Sequence, residues 1–137
     1  MTPLRTIAVG FDGSPDAEAA ARWAFALAQK VGAEVVVVHA VGLLEHAAHR
    51  EISAEFEATV RGLIIEVGLD PKRARWHSSD GDPCSVLLRA TDGPVAADLV
   101  VVGSRGQGSH AGHLLGSTSH ELAEHTVVPL VIVPLEA

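Results

Sequence analysis

The sequence predicts an α/β fold, a five-stranded parallel sheet with helices on both faces. Two observations carry that expectation. Strand-like and helix-like hydrophobic periodicity alternate along the whole chain, the pattern that right-handed βαβ crossovers leave in a sequence. Within it, Val35 to Val38 and Val100 to Val102 are runs of β-branched residues with no polar alternation, as in strands covered on both faces. At 137 residues the chain fits one domain, 1–137, and a chain of that length buries roughly two thirds of the surface it would expose unfolded.

Each element has its own signal. RTIAVGFD (5–12) is the first strand, ended by Gly13. Ser14 follows as an N-cap with Pro15 at the first helical position, where a missing N–H costs nothing. Ala17, Ala20, Ala21, Ala24, Leu27, Ala28 and Val31 then recur at helical spacing until Gly32 stops the helix. AEVVVVHAV (33–41) is the second strand, and Ile52, Phe56, Val60, Leu63, Ile64 and Val67 mark one face of a second helix closed by Gly68 and Pro71. RARWHSSDG (73–81) gives the third strand. Asp82 caps a third helix with Pro83 at its first position, and Val86, Leu87 and Ala90 face inward. ADLVVVGS (97–104) is the fourth strand, 114–125 the fourth helix and PLVIVPL (129–135) the fifth strand; Trp23 and Trp76 read as packing residues.

Composition narrows the function classes. With 47% hydrophobic and 20% charged residues the chain is globular, and no apolar run approaches the roughly 18 residues of a membrane span. A net charge of −7 repels polyanions, and no Lys/Arg cluster tracks a nucleic-acid backbone, so neither nucleic acid nor a membrane is expected as a partner. No signal-peptide pattern is visible in MTPLRTIAVGFDG, and a single cysteine, Cys84, fits a reducing compartment; the expected location is the cytoplasm.

In an open parallel sheet, ligands bind beyond the carboxyl ends of the strands where the strand order reverses, which directs attention to loops 11–15, 40–50, 78–82 and 103–116. The last of these, in VVGSRGQGSHAGHLLGSTS, holds five glycines between a buried strand and a helix. There, backbone N–H groups and a helix N-terminus can converge on an anion. A P-loop requires Gly-Lys-Ser/Thr at the end of the loop, and the chain's lysines are Lys30 and Lys72, so that reading fails. GQGSHA, from Gly106 to Ala111, satisfies G-x-G-x-x-A, but TVVPLVI stands where an acidic residue should hold a ribose.

A third spacing remains: Gly103, two residues, Gly106, nine residues, then Gly116-Ser117. With the flanking VVVGSRG and LLGSTS it resembles the nucleotide-binding signature of the universal stress protein family. IAVGFDGSPDAEAAARWA is similar to the family's opening strand and helix, GDP before the third helix to its middle section, and VVPLVIVP to its last strand. The resemblance implies an adenine-nucleotide-binding, Rossmann-like sheet of strand order 3-2-1-4-5 and a homodimer paired through the last strand, 129–135. It implies ATP, with AMP and cAMP as alternatives, accompanied by Mg²⁺. Carried across by position, Asp12 contacts the adenosine end, the backbone near Ala40 and Val41 meets the adenine, and Gly103 lies by the ribose and first phosphate. Gly106, Gly116, Ser117 and Thr118 hold the phosphates. The chain departs from the family pattern at His113, where an aliphatic residue is commoner, and at Thr118, where valine is; by residue type alone, Arg105 is the loop's cation and His110 or His113 a candidate phosphate contact.

Other residues admit plainer readings. Asp12 begins the turn DGSP, where Asp and Gly are favoured anyway. The spacings of His110, His113, His120 and His125 complete no ligand set for a metal. Ser109, Ser117 and Ser119 bear hydroxyls, yet a nucleophilic serine needs an oriented base. Cys84 stands in the first turn of a helix, where a thiol pKa can fall, but its default reading is a small buried hydrophobe. The functional expectation is a stress or regulatory protein that couples nucleotide occupancy to its dimer or a partner. The alternatives are a slow ATPase or autokinase, and an interaction module that binds no nucleotide.

Overall fold

The computed structural model describes residues 3–42, 49–105 and 116–135, without the side chains of residues 49–52. In chain order the elements are β1 (Thr6–Gly10), α1 (Pro15–Val31), β2 (Glu34–Val41), α2 (His49–Val67), β3 (Ala74–Asp80), α3 (Pro83–Arg89), β4 (Leu99–Gly103), α4 (Ser117–His125) and β5 (Leu130–Val133). The five strands form one sheet in the order β3-β2-β1-β4-β5, and every pairing is parallel. The expected fold class and strand order both hold. The sheet reverses direction of growth between β1 and β4, which places a switch point at their carboxyl ends.

Alternation of side chains divides the core into two layers. Ile7, Val9, Val35, Val37, Leu99 and Val101 face α1 and α2, whereas Ala8, Val36, Val38, Val100 and Val102 face α3 and α4. The consecutive valines of β2 and β4 are therefore buried on both sides. On α1 the stripe is built from alanines, with Ala20, Ala24 and Ala28 fully buried, so this helix lies close to the sheet. Phe25, absent from the expected stripe, is fully buried beside it, while Val31 in the last turn is 48% exposed. Trp23 falls next to the stripe rather than on it and is 40% exposed, which corrects its reading as a packing residue; Trp76 does pack against the core.

Two helix starts follow the sequence. The Ser14 hydroxyl accepts the Ala17 N–H at 3.1 Å, and the Asp82 carboxylate accepts the Ser85 N–H at 3.0 Å and the Ser85 hydroxyl at 2.6 Å. α1 ends as expected at Gly32, whose φ of 76° is left-handed and whose N–H donates to the Ala28 carbonyl. The fourth helix departs from expectation, beginning at Ser117 rather than 114; residues 114 and 115 lie outside the described residues. Its N-cap, Gly116, is extended (φ −72°, ψ 167°) and carries no side chain to cap with.

Candidate functional site

A cavity of about 350 Å³ opens at the switch point. Val38, Ala40, Pro83, Leu87 and Val102 give it an apolar wall, and Asp12, Ser14, Arg105 and the start of α4 from Gly116 to Ser119 give it a polar one. It lies at the carboxyl ends of β1, β2 and β4, where an open parallel sheet receives its ligands.

Of the residues singled out in the sequence, Asp12, Ala40, Gly103, Arg105, Gly116, Ser117 and Thr118 line this cavity. Val41 does not: its side chain is buried and its carbonyl accepts the Gly81 N–H at 3.3 Å. Gly106 and His113 lie outside the described residues, as do Ser109 and His110. Asp12 fulfils its turn role, one carboxylate oxygen accepting the Ser14 N–H at 2.9 Å, and it faces the cavity as well.

Local structure explains why these groups converge. Gly13 has a φ of 83°, and a Cβ there would stand 2.5 Å from the ring of Phe56, so glycine is required twice over. The turn is held from beneath by His39, buried on β2. Its Nδ1 lies 3.1 Å from the Phe11 carbonyl, an acceptor, so Nδ1 carries the proton. The imidazole meets the Phe56 ring edge-on at 5.1 Å and the Trp76 ring at 5.8 Å.

The exit of β4 is held from three sides. A Cβ on Gly103 would come within 2.7 Å of the backbone of Asp16, so the glycine lets α1 approach the strand end. Ser104 donates its N–H to the Val133 carbonyl at 3.0 Å and accepts the Gly116 N–H at 2.6 Å. The Ser119 hydroxyl donates to the Gly103 carbonyl at 2.8 Å. Asp16 completes the arrangement, its Oδ2 accepting the Ser104 hydroxyl at 3.0 Å and the Arg105 N–H at 3.2 Å. Sequence reasoning missed Asp16 and Ser104 because nothing in spacing links residues 88 positions apart; an acid in a first helical turn reads as ordinary dipole complement.

Electrostatically the polar end of the cavity is short of fixed cations. Arg105 is the one lysine or arginine among its described lining residues. The first turn of α4 points at the cavity with no side-chain cap hydrogen bond, whereas α1 and α3 are capped by Ser14 and Asp82. A bare helix N-terminus attracts anions through its N–H groups and its dipole. Among the described residues no three His, Cys, Asp or Glu side chains group to hold a metal. Cys84 is buried, and desolvation, with Glu121 and Asp82 nearby, raises its thiol pKa. That leaves an inert core residue rather than an activated thiol. No helix among the described residues is long and apolar enough to cross a membrane.

Over residues 3–134 the chain matches the model of the universal stress protein family. The chain belongs to that family. Universal stress protein Rv2005c of Mycobacterium tuberculosis is 32% identical over 134 residues, covering 92% of this chain and 44% of its own; the chain thus spans less than half the length of that relative. A universal stress protein of Thermus aquaticus is 30% identical over 139 residues, covering 95% of this chain and 98% of its own. A solved universal stress protein described as a complex with cAMP superposes with a TM-score of 0.74 at 27% identity, covering 98% of this chain and all of its own. That superposition takes in nearly the whole chain, so the two share the fold.

Proposed function

We propose that the chain binds an adenine nucleotide, ATP in the first place, and couples its occupancy to a regulatory contact. The observation that carries this reading is the uncapped first turn of α4 opening into the switch-point cavity. The phosphates lie against the N–H groups of that turn, with the hydroxyls of Ser117 and Thr118 and the guanidinium of Arg105 beside them. The base lies toward the apolar wall around Ala40, with Asp12 at the adenosine end. Gly106 is assigned to the same site by its position in the family signature, and His113, which departs from the family pattern, by its imidazole within the same loop sequence. A cavity of about 350 Å³ is in the range of small-ligand sites. A relative described as a complex with cAMP supports an adenine nucleotide as the class of ligand.

Magnitudes agree with this reading. Hydrogen bonds to charged groups contribute about 1.5–3 kcal/mol each and a helix N-terminus about 0.3–2 kcal/mol, so three or four reach the roughly −8 kcal/mol of micromolar affinity. Mg²⁺ accompanying a triphosphate is held by phosphate oxygens and water. Binding is favoured over phosphoryl transfer because the described lining residues include no lysine and no pair of carboxylates, parts on which phosphoryl-transfer sites rely. The edge strand β5, partly buried along its length, pairs with a second copy across a two-fold axis, since an open apolar edge invites association.

Calorimetry with ATP, ADP, AMP and cAMP tests the reading. Saturable micromolar binding of at least one, weakened at least tenfold by Gly116→Val, is expected. Absence of saturable binding by all four at millimolar ligand overturns it.

A further inference from the structure

We propose that Asp16 is the positioning residue for the phosphate end of the cavity, holding the exit of β4 so that Arg105 and the first turn of α4 keep their places. The proposal rests on the nucleotide reading above and names the side chain that keeps that site in shape.

Asp16 is 7% exposed, and a buried acid beside an anion site is costly unless hydrogen bonds compensate it. Here a single oxygen, Oδ2, accepts both the Ser104 hydroxyl at 3.0 Å and the Arg105 N–H at 3.2 Å. The backbone of the same residue is what a Cβ on Gly103 would strike, at 2.7 Å. Three consecutive residues leaving β4 are thus fitted to one residue of α1. The opposite side of that segment is bonded to α4, Gly116 N–H to the Ser104 carbonyl and the Ser119 hydroxyl to the Gly103 carbonyl. A continuous path of hydrogen bonds therefore joins the first turn of α1 to the first turn of α4 through Ser104. Because the Arg105 N–H is held by Asp16, the peptide at Arg105 is fixed, and its side chain is the cation lining the cavity.

The test separates positioning from general loosening. Asp16→Asn retains an amide oxygen that can accept both donors; Asp16→Ala removes the acceptor. Titrations of ATP and of adenosine are followed for both variants and for the native chain. Asp16→Ala is expected to weaken ATP about tenfold, the loss of one to two hydrogen bonds, while adenosine stays within about twofold and Asp16→Asn within about threefold of native for ATP. Amide hydrogen exchange at Arg105 in ligand-free protein is expected to quicken in Asp16→Ala and not in Asp16→Asn. Should Asp16→Ala fail to fold, Ser104→Ala removes one of the two donors and is expected to weaken ATP about threefold. Unchanged or tighter ATP binding in Asp16→Ala, or equal losses of ATP and adenosine, overturns the proposal. A native chain that binds neither ligand overturns the nucleotide reading itself, and Arg105 exchange then decides separately whether the clamp exists.

Discussion

Gly103 shows how one position can satisfy two demands. Its place in the glycine spacing is what the family resemblance reads as a ligand loop, and the structure adds that α1 leaves no room for a side chain there. Gly103→Ala is expected to destabilise the fold by about 1–3 kcal/mol, the usual cost of overpacking, because the obstructing atoms are backbone. Denaturant unfolding checks this, and a variant as stable as the native chain would mean that α1 can move aside. Gly13 and Asp12 were legible as a turn from their residue types alone. Asp16 was not, since its partners are fixed by where β4 ends against α1, a tertiary fact with no local signature. Nor was the fit of His39 under the Phe11 carbonyl, which depends on strand register.

Among the helix starts described with their caps, α1 and α3 are completed by a side chain and α4 is not. Ser14→Ala removes the acceptor for the Ala17 N–H and is expected to cost about 1 kcal/mol, read from the denaturation midpoint. At α3 the hydrogen bonds from Ser85 to Asp82 hold the carboxyl below its ordinary pKa. A lowered folded-state pKa adds stability above the unfolded value and loses it as pH falls through the folded one. The contribution of this cap should therefore fade from about pH 4 downward, and Asp82→Asn should flatten that part of the stability profile. An unaltered profile would show that Asp82 does not control it. Both caps were readable as Ser-Pro and Asp-Pro. The apolar pair Leu114-Leu115 carries the sequence pattern of α4 back to 114, while the structure starts the helix after an extended Gly116.

The parallel sheet was legible as a whole because valine runs and alternating periodicities are global features, insensitive to any single contact. Strand order followed from the family resemblance rather than from periodicity. It puts β5 at an edge, where the Pro129 and Val133 carbonyls accept from Val100 and Ser104 of the neighbouring segment. By alternation, the backbone groups of Ile132 face away from β4. If β5 pairs two copies, Ile132→Pro should convert a dimer to a monomer in sedimentation velocity with the fold retained. A native chain that sediments as a monomer would refute the pairing. Pro129 and Pro134, at either end of the strand, confine any such ladder to a few residues.

The open first turn of α4 also bears on how the molecule survives heat. A helix that its own chain leaves unfinished can be finished by an anion, and the folded state then gains free energy that the unfolded chain does not share. If the proposed nucleotide occupies that turn, melting temperature becomes a concentration gauge: ligand at a thousand times its dissociation constant adds about 4 kcal/mol, and dilution takes it away. Thermal resistance of this chain would then follow the size of the nucleotide pool around it.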